Sequence, residues 1–140
     1  MSDTFALHPV LATDTLPVAS LDVSELLLMN DARFPWCILV PRFPELTELH
    51  QLPAAVWPTF FDELTRVSRC LLAQPGITKI NVGALGNRVA QLHVHVVGRH
   101  PADAAWPGPV WGAGTAEAYD QASARALLER LRSEAAAAPG

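Results

Sequence analysis

Residues 89–97 read Val-Ala-Gln-Leu-His-Val-His-Val-Val, a stretch in which polar and apolar residues alternate around β-branched side chains. This alternation predicts a strand, in which every second side chain projects from the same face. The polar face of the predicted strand carries Gln91, His93 and His95. The buried face carries Leu92, Val94 and Val96. Two neighbouring imidazoles on a rigid strand can serve as nucleophile and proton carrier or as a pair of metal ligands, and exposed histidines without a role are the plain alternative.

The composition limits the class of protein and its partners. The chain has 140 residues, half of them apolar, which is enough for one domain with its own core. A net charge of −4 and a single lysine, Lys79, argue against a nucleic-acid-binding surface. The N-terminus lacks a basic targeting segment, and no apolar run approaches the roughly 18 residues of a membrane span. We therefore expect a cytoplasmic protein that binds neither nucleic acid nor membrane.

Hydrophobic periodicity assigns secondary structure to most of the chain. The predicted strands span 15–22, 25–30, 36–41, 78–82 and 89–97. The predicted helices span 57–74 and about 115–133. We therefore expect a single α+β domain over residues 1–140, with its core at about 15–112, a five-stranded antiparallel sheet and the long helix packed on one face.

The segment 91–97 resembles the motif of the histidine-triad (HIT) family, His-x-His-x-His followed by two apolar residues, with glutamine in place of the first histidine. The resemblance extends to Asn81-Val82-Gly83, to Gly86-Asn87-Arg88-Val89, and to the region between Asn30 and Arg42, so that it covers roughly residues 15 to 110. It implies a HIT-like fold that dimerises edge to edge into a continuous sheet. It also implies a nucleotidyl hydrolase or transferase similar to the diadenosine polyphosphate hydrolases.

Residue roles follow from the resemblance by position. His93 matches the nucleophile that attacks an α-phosphate and forms a transient nucleotidyl-imidazole, and His95 matches the residue that binds phosphate and donates a proton. The implied phosphate contacts are Gln91, Asn87, Arg88 and Asn81, and the implied ribose contact is Asn30. The expected ligand is a purine nucleotide or its conjugate. No cofactor is expected, although a divalent cation can arrive with a polyphosphate substrate. Activity should fall as the imidazoles protonate below roughly pH 6.

Two positions differ from the family's pattern. Gln91 keeps the backbone carbonyl through which the first triad position partly orients the nucleophile, and its amide can still hydrogen-bond to phosphate or to His95. Trp36 stands where a fourth histidine usually opens the preceding strand. These differences leave open a nucleotide-binding module with little or no turnover.

A metal-binding protein that uses His93 and His95 is the other alternative, as in cupin-like barrels. Such a site needs a third and a fourth ligand. The next carboxylate is Asp103, and the next glutamate is Glu117. This shortage of ligands makes a metal site the weaker interpretation.

Several residues also have plain structural interpretations. Asn30 and Asn87 are typical turn residues, and Arg88 is typical of a solvated loop. The isolated histidines expected at the surface are His8, His50 and His100. The aromatic residues expected to serve packing alone are Trp57, Phe60 and Phe61 in the helix core. Trp106 and Trp111, in a proline- and glycine-rich segment, are expected to serve packing, with base stacking as the alternative.

Overall fold

A computed structural model describes residues 4–136, so residues 1–3 and 137–140 of the expected 1–140 domain lie outside the described residues. Within residues 4–136, five strands form one antiparallel sheet in the order β1-β2-β3-β5-β4. The strands are β1 (Thr15–Ser20), β2 (Ser24–Met29), β3 (Trp36–Pro41), β4 (Lys79–Gly83) and β5 (Val94–Arg99). The helices are α1 (Pro9–Asp14), α2 (Trp57–Leu72) and α3 (Gln121–Glu134), with short 3-10 turns at Leu49–Gln51 and Ala54–Val56. The expected α+β class and five-stranded sheet are confirmed.

The sheet lies between two layers of chain. On one face α2 packs through fully buried residues such as Val67 into a core that includes Val96. On the other face Leu11 of α1 and Val110 of a later irregular segment cover a second core that includes Val97. Because successive strand residues point to opposite faces, neighbouring residues of β5 belong to different layers.

The ends of α2 follow from its sequence. The helix begins at Trp57, as predicted, with Pro58 in the first turn, where its missing N–H leaves no helical bond unmade. It ends at Leu72 rather than at residue 74, and Gly76 then reverses the chain at a φ of +79°. Among residues 4–136, no helix is both long and apolar enough to cross a membrane.

The prediction of a strand over 89–97 is wrong in its first half, because β5 begins at Val94. Residues before it find hydrogen-bond partners outside the sheet: the N–H of Leu92 donates to the carbonyl of Leu46 at 2.8 Å. β5 continues instead to Arg99, pairing with β4. The prediction that Leu92, Val94 and Val96 share a buried face nevertheless holds, because all three belong to the core beneath α2.

Two helical segments also differ from the predictions. The last helix begins at Gln121 rather than near 115, and the Asp120 carboxylate caps it by accepting from the N–H of Ser123 at 2.8 Å. The short helix α1 was not predicted, because six residues that bury only Leu11 carry little periodic signal. Its first turn is capped by His8, whose Nδ1 accepts from the N–H of Val10 at 3.1 Å.

Candidate active site

His93 and His95 lie next to each other although only His95 belongs to a strand. His95 sits in β5, paired with Ile38 of β3 and Gly83 of β4, while His93 immediately precedes the strand. Their ring centroids are 4.9 Å apart and the rings are inclined at 67°. The exposed fractions are only 7% and 5%, so both imidazoles are buried rather than exposed. Buried imidazoles with polar partners can keep a defined orientation for chemistry.

The imidazole of His93 is oriented by the backbone. Its Nδ1–H donates to the carbonyl oxygen of Gln91 at 2.7 Å. Because a carbonyl oxygen can only accept, this bond places the hydrogen on Nδ1 and leaves the lone pair of Nε2 free. Nε2 of His93 is therefore the nitrogen available as a nucleophile.

The imidazole of His95 is held by aromatic neighbours. Nε1–H of Trp36 donates to its Nδ1 at 3.0 Å. The ring of Trp111 meets it edge-on, with centroids 5.3 Å apart. Burial first, and the nearby His93 second, lower the pKa of His95 to about 4. His95 is therefore a neutral imidazole at physiological pH.

Gln91 binds the N-terminal segment through both ends of its side-chain amide. Its Oε1 accepts from the backbone N–H of His8 at 2.9 Å, and its Nε2 donates to the carbonyl of Ala6 at 2.8 Å. The residue expected to contact phosphate thus has its carboxamide oxygen engaged by the backbone. The backbone carbonyl of the same residue holds His93. Gln91 therefore joins the N-terminal segment to the candidate nucleophile.

The other predicted ligand residues divide into two groups. Asn87 and Arg88 are exposed in the loop between β4 and β5, as a solvated turn or a phosphate-binding loop would be. Asn81 lies opposite Val97, and its Oδ1 accepts from Nη1 of Arg99 at 2.7 Å. Asn30 follows β2, and its Oδ1 accepts from the N–H of Tyr119 at 2.9 Å.

These bonds engage the carboxamide oxygens of Asn30 and Asn81 within the chain. The first fastens the segment that leads into α3, and the second belongs to a buried network around Arg99. The structure brings Gln91, His93 and His95 together.

A pocket of about 860 Å³ opens beside His93. Its walls are mainly apolar and include Leu49, Leu52, Trp57, Phe60, Phe61, Leu64 and Leu85. Trp57 and Phe61, expected in the helix core, are 53% and 67% exposed and line this pocket instead. His50, expected only at the surface, also borders it. The aromatic residues at helical spacing were the available signal, but periodicity alone does not distinguish a core from a pocket wall.

Trp111 was not predicted as part of the site, yet it covers His95. It also meets Trp36 edge-on, with ring centroids 6.4 Å apart. Gly83, the strand partner of His95, makes this approach possible, because a Cβ at that position would lie 2.9 Å from Cη2 of Trp111. No local sequence pattern could reveal this contact between residues of different segments.

A buried ion pair holds the segment that carries Trp111. Nε of Arg99 donates to Asp103 Oδ2 at 2.7 Å, and its Nη2 donates to the carbonyl of Gly108 at 2.8 Å. Burial alone would raise the pKa of Asp103, but hydrogen bonds from Arg99 and from nearby backbone N–H groups outweigh it and hold the pKa well below its usual value. Asp103 is therefore an ionised anchor.

The metal interpretation lacks a ligand set. Within residues 4–136, no group of three or more histidine, cysteine or carboxylate side chains is placed to hold a metal ion. Nδ1 of His95 is already bonded to Trp36. His93 and His95 alone do not complete the four-coordinate site that zinc requires.

The chain is similar to known proteins over most of its length. The HIT domain family matches residues 13–102. A histidine triad protein from Bradyrhizobium japonicum is 39% identical, with a TM-score of 0.91 and coverage of 94% of this chain and 98% of that one. One from Sinorhizobium meliloti 1021 is 40% identical, with a TM-score of 0.89 and coverage of 94% and 97%. One from Marinobacter aquaeolei VT8 is 37% identical, with a TM-score of 0.90 and coverage of 94% and 96%. No curated protein gives a significant match.

Proposed function

The chain belongs to the HIT domain family, whose members are generally nucleotide-binding hydrolases or transferases, and from this premise we propose that it cleaves nucleotide conjugates at their α-phosphate through a nucleotidyl-His93 intermediate. The observation that carries the proposal is the hydrogen bond from Nδ1 of His93 to the carbonyl of Gln91. It frees the lone pair of Nε2 for attack.

The reaction has two steps. Nε2 of His93 attacks the α-phosphorus, the bond from phosphorus to the leaving group breaks, and its electron pair departs with the leaving group. Water then attacks the same phosphorus, the N–P bond breaks with its electron pair returning to Nε2, and the proton of the water passes to solvent. In between, His93 carries a positive charge, which the carbonyl of Gln91 stabilises through Nδ1–H.

The ligand-binding roles follow from which side chains are accessible. We assign phosphate contact to Asn87 and Arg88, because both are exposed in the loop that leads to His93. The apolar and aromatic pocket beside His93 accepts the purine nucleoside. Asn30, Asn81 and the side chain of Gln91 are assigned to holding the chain together, since their carboxamide oxygens already accept hydrogen bonds from it.

A homodimer joined through β4 is part of the proposal. β4 is an edge strand of the sheet, and among the described residues no strand pairs with its outer side, so backbone groups are available there. Val82 of this strand is half exposed. Edge-to-edge pairing of two copies would extend the sheet without breaking any bond described above.

The experiment is a hydrolysis assay combined with intermediate trapping. The protein is incubated with a panel of dinucleoside polyphosphates, nucleoside phosphoramidates and nucleoside phosphorothioates, and mass spectrometry locates any adduct. We expect turnover and an adduct on His93, both lost in His93→Ala. His100→Ala, which removes a histidine outside the site, is the control and should leave turnover unchanged. Equal turnover in wild type and His93→Ala would exclude the mechanism.

A nucleotide-binding module without turnover is the second candidate. The observations that favour it are the replacement of a relay histidine by Trp36 and the engagement of the Gln91 side chain by the N-terminal segment. Tight nucleotide binding without adduct or hydrolysis across the panel would establish this function instead.

A further inference from the structure

Trp36 makes a direct hydrogen bond to a candidate catalytic imidazole, and the chemistry of its indole restricts what that imidazole can do. Nε1–H of Trp36 lies 3.0 Å from Nδ1 of His95. An indole nitrogen carries a hydrogen and has no lone pair to accept with, so it only donates. Nδ1 of His95 must then be the acceptor, and the single hydrogen of the neutral ring sits on Nε2.

We infer that Trp36 is a positioning residue that keeps His95 as a fixed Nε2–H donor, and that the chain therefore acts on conjugates whose leaving group departs as an anion without taking a proton. The inference rests on the proposed function and deepens it by naming the substrate class. The leaving groups that meet this condition are phosphates, polyphosphates and acidic phenols. Amines and simple alcohols do not meet it.

The restriction on the leaving group follows from the fate of the hydrogen on Nε2 of His95. A neutral imidazole is a very weak acid, because loss of its Nε2 hydrogen leaves an imidazolate, so it gives little help as a proton donor to a departing amine or alcohol near neutral pH. If it first took a second proton, that proton would have to enter at Nδ1 and displace the bond from Trp36. His95 can therefore stabilise charge on a departing oxygen through a hydrogen bond, but it does not transfer its proton.

The surroundings of His95 support a ring that is neutral at physiological pH. Its ring contacts within residues 4–136 are Trp36, Trp111 and His93, of which His93 is the titratable one. Burial, followed by the effect of His93, holds the pKa of His95 at about 4. In the P–O cleavage step, the electron pair therefore leaves on the oxygen, which departs as an oxyanion.

Nitrogen NMR of the ligand-free protein tests the tautomer without relying on catalysis. Labelled histidine distinguishes a protonated from an unprotonated ring nitrogen at His95. We expect Nδ1 unprotonated and Nε2 protonated in the wild type, and a mixture of tautomers in Trp36→Phe. Trp111→Phe is the matched control, because the buried Nε1 of Trp111 has no hydrogen-bond partner within residues 4–136. A protonated Nδ1 in the wild type, or identical spectra for wild type and Trp36→Phe, would overturn the inference.

A leaving-group series tests the substrate class. Adenosine 5′-aryl phosphates with phenols of increasing pKa are compared with adenosine 5′-phosphoramidate. We expect kcat/KM to fall steeply as the phenol pKa rises, with the phosphoramidate a poor substrate. Trp36→Phe should lower kcat on the order of tenfold with little change in KM, since part of the His95 population loses its donor.

The two failures are distinguishable in this design. A shallow dependence on phenol pKa, or efficient phosphoramidate cleavage, would show proton transfer to the leaving group and overturn the inference while leaving His93 chemistry intact. Absence of turnover across the whole series would refute the proposed function and, with it, the assigned substrate class. The NMR result would still decide whether Trp36 fixes the tautomer of His95.

Discussion

The backbone N–H of His8 donates a hydrogen bond to Oε1 of Gln91 over 2.9 Å, across 83 positions of sequence. The side-chain amide of Gln91 also donates from Nε2 to the carbonyl of Ala6, while the backbone carbonyl of Gln91 accepts from Nδ1–H of His93. Gln91 thus uses its side chain to hold the N-terminal segment and its backbone to orient the candidate nucleophile. The carboxamide suits this role because it carries an acceptor oxygen and a donor nitrogen on one carbon, and each makes one of the two side-chain bonds.

Replacing Gln91 should separate these two functions. In Gln91→Ala both side-chain bonds are lost and the carbonyl remains, so we expect the free energy of unfolding to fall by about 1 to 2 kcal/mol and kcat to change only a few-fold. Hydrogen exchange at the amide of His8 should accelerate. Gln91→Glu, which keeps the acceptor for His8, should slow that exchange relative to Gln91→Ala. A large rise in KM with His8 still protected would instead show that the side chain binds substrate.

Enlarging Gly83 should displace Trp111 from His95. A Cβ at Gly83 would lie 2.9 Å from Cη2 of Trp111, closer than two carbon atoms tolerate. We expect Gly83→Ala to destabilise the protein by about 1 to 3 kcal/mol and to expose Trp111, as seen by a red shift of tryptophan fluorescence.

A double-mutant cycle provides the control for the Gly83 prediction. Trp111→Phe removes the atom that Cβ would meet, so Gly83→Ala should cost clearly less in that background than in the wild type. Additive effects of the two substitutions would show that the destabilisation has another origin.

The ion pair between Arg99 and Asp103 should dominate the stability of the segment that carries Trp111. Both side chains are almost fully buried, with 2% and 1% of their surfaces exposed. Asp103→Asn leaves the guanidinium without its counter-charge, which is expected to cost about 3 to 5 kcal/mol in urea unfolding. Asp62→Asn is the control: it breaks the more exposed pair with Arg66 and should cost less than about 1 kcal/mol. Similar costs would argue against a special role for the buried pair.

The pH dependence of this ion pair has a definite sign. A carboxyl group whose pKa is lowered by folding contributes its stability fully above its unfolded value, about 3.9, and loses it as the pH falls toward the folded value. The difference in unfolding free energy between wild type and Asp103→Asn should therefore be constant near neutral pH and shrink below about pH 4. A difference that grows on acidification would contradict the assignment.

The sequence was informative wherever structure depends on local periodicity. Both ends of β3 and the start of α2 agree with the apolar patterns, and the other strands before His93 agree within two residues. Alternation also predicts that His93 and His95 lie side by side, and their ring centroids are 4.9 Å apart. Such features depend on residues close in sequence or on a shared motif.

What the sequence did not reveal depends on contacts between distant segments. The partner of Gln91 lies 83 residues away, and Trp111 covers His95 only because Gly83 has no side chain. Alternation predicted a strand through residues 89–93 because it records which side chains are apolar and contains nothing about where the backbone hydrogen bonds go. The same limitation explains why alternation assigns His93 and His95 to a polar face although both are buried.

The titration of His95 should make the protein less stable in mild acid. A histidine whose pKa folding lowers, from about 6.5 to about 4, contributes its stability fully above the unfolded value and loses it progressively as the pH falls toward 4, because the unfolded chain binds the proton first. The loss is on the order of 3 kcal/mol if the whole shift is realised. For His95, the expected loss of activity on protonation therefore moves from about pH 6 to about pH 4.

His95→Asn isolates this contribution, because the carboxamide oxygen of asparagine can accept the hydrogen bond from Trp36 but does not titrate. Urea unfolding at several pH values between 7 and 4 should show the wild type losing stability relative to His95→Asn throughout this range. His100→Ala should follow the wild type. If wild type and His95→Asn lose stability in parallel, the proton is taken up elsewhere, and the buried neutral imidazole that Trp36 and Trp111 enclose is not the group that responds to acid.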